Sequence, residues 1–152
     1  MKIEKLAVHD LFRLTELFEY NNAEQMISEC TRDIQNGSID IFVLYENDVL
    51  IGELHVMYEN DDENFAIRGK RAYLFAFRVH KEYQNKGYGT YLLKTVLTLL
   101  KGDGYYEFTV GVEDDNSRAI HMYQALGFNE LLLRKQEEYQ GDAYEYNLYL
   151  KR

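Results

Sequence analysis

One unit in the middle of the chain limits the folds open to it: a strand, a glycine loop and a helix in direct succession. Residues 73–79 form a nearly continuous aromatic and aliphatic run, as in a buried central strand. A polar loop with glycines at positions 87 and 89 follows, and apolar residues then recur at helical spacing between Leu92 and Leu100. The unit predicts a domain that combines helices with a sheet.

Two hairpins flank this unit. Residues 39–45 and 49–58 have strand character on either side of an Asn47-Asp48 turn. Residues 131–135 and 144–150 form a second pair of strands, joined through Gly141. Because hairpins add antiparallel pairs to the strands that alternate with helices, we expect a mixed sheet.

Residues 3–6 and 106–112 are predicted to be two further strands, and several other segments are predicted to be helices. Asp10 is a candidate N-cap for the first of them, and a second helix over residues 23–35 ends at Asn36-Gly37. A later helix over residues 117–126 is closed by Gly127. We therefore expect an α/β (α+β) domain with a mixed central sheet of about seven strands, flanked by about four helices.

Length and composition favour one domain. A chain of 152 residues suits a single domain over residues 1–152, and a hydrophobic content of 46% excludes intrinsic disorder. Cys30 is the only cysteine, so no internal disulfide can form and no Cys-based metal site is indicated. No apolar run approaches the roughly 20 residues of a membrane span, and the first five residues lack a signal peptide's apolar core. We therefore expect a cytoplasmic protein that uses no metal.

Formal charge divides the chain into two regions of opposite sign. The chain has 17 Lys and Arg residues against 26 Asp and Glu residues, a net charge of −9, which argues against binding to nucleic acid or to anionic membranes. The segment 68–101 nevertheless carries eight basic residues and one acidic residue, a net charge of +7, and leaves −16 on the remainder. Such a basic block indicates either a local anion site or a solvated helix face.

The glycine loop (residues 84–90) is the candidate anion site. The N–H groups at a helix start have no intrahelical acceptor, and the helix dipole favours negative charge there. The residues that we expect to bind the anion are Gln84, Asn85, Lys86, Gly87, Tyr88, Gly89 and Thr90. The alternative is a strand-to-helix turn that needs permissive dihedrals, since neither the GxxxxGK(S/T) nor the GxGxxG motif occurs.

Two motifs in this order resemble those of the GCN5-related N-acetyltransferases. Gln84-x-x-Gly87-x-Gly89, after the strand that ends at Val79, resembles motif A of that family. A later string resembles motif B, and its matching residues are Asn116, Ala119, Tyr123, Gly127 and Phe128. The order of helices and strands also fits, so the resemblance covers nearly the whole chain. It implies transfer of an acyl group, expected to be acetyl, from acetyl-coenzyme A to a primary amine of a small molecule or peptide.

The resemblance also assigns residues to coenzyme A. The backbone of the glycine loop would hold the pyrophosphate, and the backbone of Phe77 and Val79 would pair with the pantetheine amides as an added strand does. Family members often splay this strand with a bulge, and a backbone N–H near Phe77 or Arg78 would stabilise the thioester oxyanion. Asn116 matches an asparagine that contacts coenzyme A, although an N-cap of the following helix explains it equally well.

Tyr123 matches the general acid of the family, whose hydroxyl protonates or hydrogen-bonds the departing thiolate in a direct transfer. The alternative is a core aromatic, because Ala119, Tyr123 and Leu126 share one helix face. Two other functions are also open to the sequence. One is a non-catalytic acyl-coenzyme A sensor or regulatory module, and the other is a dinucleotide-binding domain.

The motifs do not assign a general base. Some family members carry a glutamate early in the strand before motif A, and others in the next strand, and the matching residues here are Tyr73 and Gly111. Glu53, in the strand 49–58, is the candidate base, with an outward-facing strand residue as the alternative. Further candidates are Glu113, His55 and His80, and a chain of water molecules would need no single base.

The acceptor and the assembly are the least constrained features. Acidic clusters flank the site elements and either attract a cationic amine, such as a polyamine, an aminoglycoside or a basic peptide, or belong to solvated loops. These clusters are Asp61-Asp62-Glu63, Glu113-Asp114-Asp115 and Glu137-Glu138. Tyrosines near the C-terminus would either pair across a homodimer or lie within the sheet; they are Tyr139, Tyr144, Tyr146 and Tyr149.

Overall fold

The computed structural model describes residues 1–152, which form seven strands and four main helices. The strands are β1 (Lys2–Lys5), β2 (Ile39–Glu46), β3 (Val49–Met57), β4 (Arg71–Val79), β5 (Glu107–Val112), β6 (Glu130–Tyr139) and β7 (Asp142–Lys151). The helices are the 3₁₀ helix Val8–Glu16, α1 (Ala23–Gln35), α2 (Tyr88–Gly102) and α3 (Ser117–Ala125). A short 3₁₀ turn, Lys81–Tyr83, lies between β4 and α2.

All seven strands belong to one mixed sheet in the order β1-β2-β3-β4-β5-β7-β6. β1 and β2 pair antiparallel, whereas β4 and β5 pair in parallel. β7 is inserted between β5 and β6 and is antiparallel to both. The predicted α/β (α+β) class, with a mixed sheet of seven strands and four helices, is confirmed.

The chain divides into two compact units, each built from two segments. The first unit comprises residues 1–56 and 76–99, and the second comprises residues 57–75 and 100–152. One domain over residues 1–152 stays a prediction. No helix is both long enough and apolar enough to cross a membrane.

The core of the first unit includes β2, β3 and α2. Leu92, Leu93 and Val96 of α2 are fully buried, as their helical spacing predicts, and each contributes about 1.5–3 kcal/mol. A Cβ at Gly52 of β3 would lie 3.4 Å from Cδ2 of Leu92 and 3.5 Å from the carbonyl oxygen of Arg78. α2 and β3 are therefore in van der Waals contact at this position.

The second unit has its core around β5 and β7, where Phe108 and Leu148 are fully buried. It also buries the carboxylate of Glu107. Arg71 Nε donates to Glu107 Oε1 at 3.0 Å, and Arg152 Nη1 donates to Oε2 at 2.7 Å. A buried charge is tolerated only when it is paired, and these two arginines pair with the buried carboxylate of Glu107.

Most turn signals are confirmed by backbone dihedrals. α1 ends at Gln35 and is followed by Gly37 with a φ of +80°. Asn47 and Asp48 have φ values of 51° and 63°, and this left-handed pair forms the two-residue hairpin turn between β2 and β3. Gln140 and Gly141, with φ values of 50° and 87°, join β6 and β7 in the same way.

The first helix differs from its prediction. Its N-cap is Ala7 rather than Asp10, and residues Val8–Glu16 form a 3₁₀ helix. Leu11 and Leu14 are fully buried and lie three residues apart, which matches the three residues per turn of a 3₁₀ helix. The helix thus buries Leu11 and Leu14 on one face, and Asp10 lies inside its first turn and not at the N-cap.

Candidate active site

β4 is interrupted at Ala76, directly before the segment expected to pair with pantetheine. Ala76 has a φ of +48°, a left-handed conformation that is rare within a strand. Ala72 is buried, whereas Phe77 and Val79 are only half-buried. A left-handed residue therefore interrupts β4 at the place where the family resemblance implies a bulge, and the prediction of a buried strand holds only for the first half of β4.

The glycine loop has the backbone form of an anion site. Asn85 and Gly87 have φ values of 63° and 87°, and left-handed residues of this kind turn successive N–H groups toward one point. A Cβ at Gly87 would meet no atom within 4 Å, so this side of the loop is open. α2 begins at Tyr88, and its first N–H groups have no intrahelical acceptor.

Side-chain contacts join the glycine loop to the end of β4. Gln84 Nε2 donates to the carbonyl oxygen of Val79 at 3.0 Å. A Cβ at Gly89 would lie 3.3 Å from Cγ2 of Val79 and 3.4 Å from Cζ of Phe77. The first unit therefore brings Phe77, Val79 and the loop together. The loop residues are Gln84, Asn85, Lys86, Gly87, Tyr88, Gly89 and Thr90.

The basic segment 68–101 offers fewer free cations than its net charge suggests. Its arginines are all paired with carboxylates from outside the segment. The pairs are Arg68–Glu59, Arg71–Glu107 and Arg78–Glu53. In the first unit, Lys81, Lys86 and Lys94 have no carboxylate partner, and Lys86 lies in the glycine loop itself. These lysines are the charges available to an anion there.

Glu53 is buried and fully paired, so the alternative of an outward-facing residue is wrong. Its side chain is 0% exposed; His55 Nε2 donates to Oε2 at 2.9 Å, and Arg78 Nη1 donates to Oε1 at 2.8 Å. Burial would raise the pKa of this carboxyl, but the hydrogen bonds and charges of His55 and Arg78 outweigh burial and lower the pKa. This geometry favours an anchor for Arg78, and the role of Glu53 as base stays a prediction.

Arg78 connects this carboxylate to the N-terminal part of the first unit. Its Nη1 donates to the hydroxyl of Tyr20 at 3.3 Å, and its guanidinium lies 3.9 Å from the ring centroid of Phe18. Stacking on an aromatic ring and pairing with a carboxylate together fix the guanidinium. Arg78 thereby holds the segment of β4 that follows the break at Ala76.

Two other candidates of the first unit have structural roles. His80 Nδ1 accepts from the N–H of Glu82 at 3.1 Å and caps the short 3₁₀ turn. Burial, with nearby carboxylates, raises the pKa of the Cys30 thiol to about 11. A thiol with this pKa stays protonated, so Cys30 is suited to packing and not to nucleophilic attack.

Tyr123 lies in the second unit with its ring buried and its hydroxyl free of protein partners. The ring makes an edge contact with Phe128 at a centroid distance of 5.6 Å. No wholly buried side-chain polar atom in the chain lacks a partner, so the unpartnered oxygen of Tyr123 reaches the surface. Burial raises the pKa of this hydroxyl, which keeps it protonated. The alternative that Tyr123 is a core aromatic is confirmed for its ring. Its hydroxyl has no protein partner, so its role as general acid stays a prediction.

Asn116 caps α3, as the sequence alternative predicts. Its Oδ1 accepts from the N–H of Ala119 at 3.1 Å. This bond satisfies one of the free N–H groups of the first turn. Contact with coenzyme A stays a prediction for Asn116, whose Nδ2 is not used by the cap.

The two positions at which the family carries a base hold residues that lie close together. A Cβ at Gly111 would lie 2.7 Å from Cδ2 of Tyr146 and 3.3 Å from the hydroxyl of Tyr73. The hydroxyl of Tyr146 donates to Oε1 of Glu137 at 2.9 Å. We call Tyr73, Tyr146 and Glu137 the Tyr–Glu cluster.

Sequence reasoning missed the Tyr–Glu cluster, although a local signal points to it. A two-residue turn at Gln140-Gly141 places Glu137 directly across from Tyr144, as the structure shows. Tyr146 lies two residues further along the same face of the hairpin. The tyrosine-rich strand and the acidic residues therefore belong together, and Tyr146 lies within the sheet rather than at an exposed surface.

One acidic cluster lines a cavity of about 350 Å³ in the second unit. Its lining residues are Glu113, Asp114, Asp115, Arg134, Ala143, Tyr144, Glu145 and Tyr146. Asp114 pairs with Arg134 and Asn147, and Arg134 Nε lies 3.2 Å from Glu145 Oε1. Four carboxylates against one guanidinium leave the cavity with an excess of negative charge.

The cluster Asp61-Asp62-Glu63 has a different environment. Asp62 Oδ1 accepts from the N–H and from the side-chain Nδ2 of Asn64, both at 3.0 Å. Such local bonds are typical of a loop that closes on itself. This cluster therefore fits the solvated-loop alternative.

Known protein sequences are similar to this chain over most of its length. A sequence model of the Acetyltransferase (GNAT) family matches residues 5–128. N-alpha-acetyltransferase 30 of Schizosaccharomyces pombe is 30% identical over 109 residues, which cover 71% of this chain and 70% of that protein. The ribosomal protein bS18-alanine N-acetyltransferase of Escherichia coli is 36% identical over 64 residues, which span only 43% of that relative and 42% of this chain.

Solved structures share the fold. The ribosomal-protein-S18-alanine N-acetyltransferase from Escherichia coli superimposes with a TM-score of 0.75 at 21% identity, covering 99% of this chain and 92% of that one. The PaiA N-acetyltransferase from Thermoplasma acidophilum, solved in complex with coenzyme A, has a TM-score of 0.68 at 22% identity and covers 100% and 99%. With a family match over residues 5–128 and this shared fold, the chain belongs to the acetyltransferase (GNAT) family.

Proposed function

We propose that the chain transfers an acetyl group from acetyl-coenzyme A to a primary amine of a small molecule or peptide. The observation that carries the proposal is the break of β4 at Ala76, close to the open glycine loop. Half-exposed strand residues and free N–H groups then lie within one unit. This arrangement suits a ligand with amides at one end and phosphates at the other, as in coenzyme A.

The glycine loop fits the phosphate groups of coenzyme A. Gly87 leaves open space beside the backbone, and Lys86 supplies a cation without a carboxylate partner. The backbone of Phe77 and Val79 pairs with the pantetheine amides in this proposal, and Asn116 contacts the ligand through its Nδ2 group. A backbone N–H near Phe77 or Arg78 stabilises the oxyanion.

Tyr123 acts as the general acid in a direct transfer. The amine nitrogen attacks the thioester carbonyl carbon, the C–S bond breaks, and the sulfur receives the proton of the Tyr123 hydroxyl. The absence of a protein partner for this hydroxyl supports the role, because a hydrogen bond to another residue would compete with the thiolate. No covalent intermediate with the enzyme is needed.

The acceptor is proposed to be cationic. The cavity lined by Glu113, Asp114, Asp115 and Glu145 has an excess of negative charge. This supports the proposal, because carboxylates at a site attract ammonium groups. The names of two relatives point to alanine or α-amino groups of proteins as acceptors for those enzymes. A basic peptide with an N-terminal alanine therefore joins polyamines and aminoglycosides as a candidate class.

A thiol-release assay with acetyl-coenzyme A tests the function. The acceptor panel contains a basic peptide with an N-terminal alanine, its acidic counterpart, spermidine, an aminoglycoside and free amino acids. We expect acceptor-dependent thiol release that prefers the cationic members and weakens with added salt. If none of the acceptors in the panel causes thiol release, the proposed function is contradicted. Equal rates for the basic and acidic peptides would contradict only the proposal that the acceptor is cationic.

A further inference from the structure

The break of β4 at Ala76 is a strained conformation in a residue type that rarely adopts it. The φ of Ala76 is +48°, and in this region the Cβ of an L-residue comes too close to the following carbonyl oxygen. Glycine would adopt the same φ without strain. A strained backbone persists only where the surrounding structure holds it, so the residues after the break must be anchored.

β3 provides two anchors for the segment that follows the break. Oε1 of Glu53 accepts from Arg78 Nη1 at 2.8 Å, and the carbonyl oxygen of Ile51 accepts from the N–H of His80 at 2.7 Å. Arg78 is two residues from the break, and His80 directly follows β4. The backbone bond therefore fixes the far end of the segment, and the ion pair fixes the part next to the break.

The ion pair between Arg78 and Glu53 is itself fixed from several sides. The guanidinium of Arg78 stacks on the ring of Phe18 at 3.9 Å and donates to the hydroxyl of Tyr20 at 3.3 Å. The other oxygen of Glu53 accepts from His55 Nε2 at 2.9 Å, and the carboxylate is 0% exposed. Both charged groups are therefore enclosed by contacts that define where they lie.

Stability alone does not explain a charged pair at this place. Burying a carboxylate costs solvation, and replacing a buried ion pair with well-packed apolar residues is often neutral or stabilising. The charged pair supplies a defined geometry, because a guanidinium N–H and a carboxylate oxygen meet over a narrow range of distances and directions. This geometry acts on the backbone of Phe77 and Val79, the two neighbours of Arg78 in the chain.

We propose that Glu53 is a positioning residue for coenzyme A: through Arg78, it holds the segment 77–79 in the conformation that binds pantetheine. The inference rests on the proposed function and gives Glu53 a role other than that of general base. Without the carboxylate, Ala76 is free to relax to a negative φ, and the segment then leaves the binding conformation.

The same anchor affects the glycine loop. Gln84 Nε2 donates to the carbonyl oxygen of Val79 at 3.0 Å, and a Cβ at Gly89 would lie 3.3 Å from Cγ2 of Val79. A shift of the segment 77–79 therefore moves the loop as well. Loss of the Glu53 carboxylate should weaken the contacts of both the pantetheine and the phosphates, so the affinity for coenzyme A reports the effect.

Calorimetric titration with coenzyme A tests the proposal, because it measures binding without turnover. We expect Glu53→Gln to weaken binding about tenfold, since the apparent affinity falls with the fraction of molecules in the binding conformation. The matched control is Glu59→Gln, which removes the carboxylate of an exposed ion pair with Arg68 and changes the net charge equally. Its affinity for coenzyme A should equal that of the wild-type protein.

Two further variants separate position from stability. Glu53→Gln combined with Arg78→Met leaves no unpaired charge, so its melting temperature should stay close to that of the wild-type protein, yet it should bind coenzyme A as weakly as Glu53→Gln. Adding Ala76→Gly to either variant should restore the affinity to within about threefold of the wild-type value, because glycine adopts the left-handed φ without an anchor. The same glycine should not restore the stability that Glu53→Gln loses, since Arg78 stays unpaired.

The outcomes decide between the roles of Glu53. An affinity within about threefold of wild type in both anchor-free variants would overturn the positioning role, and so would a loss that Ala76→Gly does not restore. A fall in kcat at saturating acetyl-coenzyme A with the affinity intact would overturn it in favour of proton transfer. A wild-type protein that binds coenzyme A but releases no thiol with any acceptor would overturn the proposed function, while the affinities would still decide the positioning role. A wild-type protein that does not bind coenzyme A would overturn both.

Discussion

Arg78 and Glu53 form an ion pair in which Nη1 lies 2.8 Å from Oε1, with the carboxylate 0% and the arginine side chain 31% exposed. The pair joins β3 to the part of β4 that follows the break at Ala76. The conformation of the proposed pantetheine-binding segment thus depends on a carboxylate that is enclosed by the protein. Removing that carboxylate leaves a partly buried guanidinium without its counter-ion.

We expect Glu53→Gln to lower the free energy of unfolding by about 3 kcal/mol, near the lower limit for breaking a buried ion pair, because Arg78 keeps some solvent contact. Urea unfolding measures the loss. The matched control is Glu59→Gln, whose ion pair with Arg68 has side chains 54% and 51% exposed and should contribute no more than about 1 kcal/mol. Equal losses in the two variants would show that Glu53 is not an anchor.

The same carboxylate predicts a pH dependence of stability. Its pKa in the folded protein is below its ordinary value of 4.5, so the folded state holds the proton less tightly than the unfolded state does. The stability that Glu53 contributes is therefore complete above about pH 5 and declines as the pH falls below 4.5 toward the lowered pKa. The difference in unfolding free energy between the wild-type protein and Glu53→Gln should shrink over that range. A constant difference down to pH 3 would refute the assignment.

A side chain at position 87 would strain the backbone without clashing with any neighbouring atom. A Cβ at Gly87 meets no atom within 4 Å, but the φ of +87° disfavours any side chain. Gly87→Ala should lower the unfolding free energy by about 1 kcal/mol and weaken the binding of coenzyme A, measured by calorimetric titration. Gly102→Ala adds a Cβ to equally open space in α2, without a left-handed φ, and should instead stabilise by up to about 1 kcal/mol. Unchanged coenzyme A affinity in Gly87→Ala would count against the glycine loop as the phosphate site.

Tyr123→Phe tests the general acid. Because the hydroxyl has no protein partner, its loss should leave the melting temperature and coenzyme A affinity unchanged, while kcat falls about a hundredfold or more. Tyr106→Phe, which removes a hydroxyl from an exposed tyrosine of the same unit, is the control. A sensor that binds acyl-coenzyme A without chemistry would be indifferent to both variants, and an equal kcat in all three proteins would exclude Tyr123 as the acid.

Elements with local signals could be predicted from the sequence. Asn36 and Gly37 end α1, and Asn47-Asp48 forms the hairpin turn between β2 and β3. Both were predictable because left-handed dihedrals favour glycine, asparagine and aspartate. β6 and β7 are longer than their apolar cores suggest, because cross-strand polar pairs extend them. Gln136 Nε2, for example, donates to Glu145 Oε2 at 3.1 Å.

Features set by distant residues could not be predicted in the same way. Ala76 takes a left-handed φ without a glycine or asparagine to indicate it, so an irregularity in this strand followed only from the family resemblance. The strand alternation placed Glu53 and His55 on one face, but their burial depends on Arg78, which is 25 residues away from Glu53 in the chain. The same holds for the family's base positions, where Gly111 is explained only by the ring of Tyr146.

β6 is the last strand in the order of the sheet, with β7 as its neighbour, so one of its edges is free to recruit another strand. A ten-residue edge of this kind is an aggregation hazard unless charges guard it. Arg134, Lys135, Glu137 and Glu138 supply those charges, because a stacking copy would have to strip water from all four. Glu137 would then be a gatekeeper for solubility, and neutralising it would narrow the range of concentrations at which the protein stays dispersed.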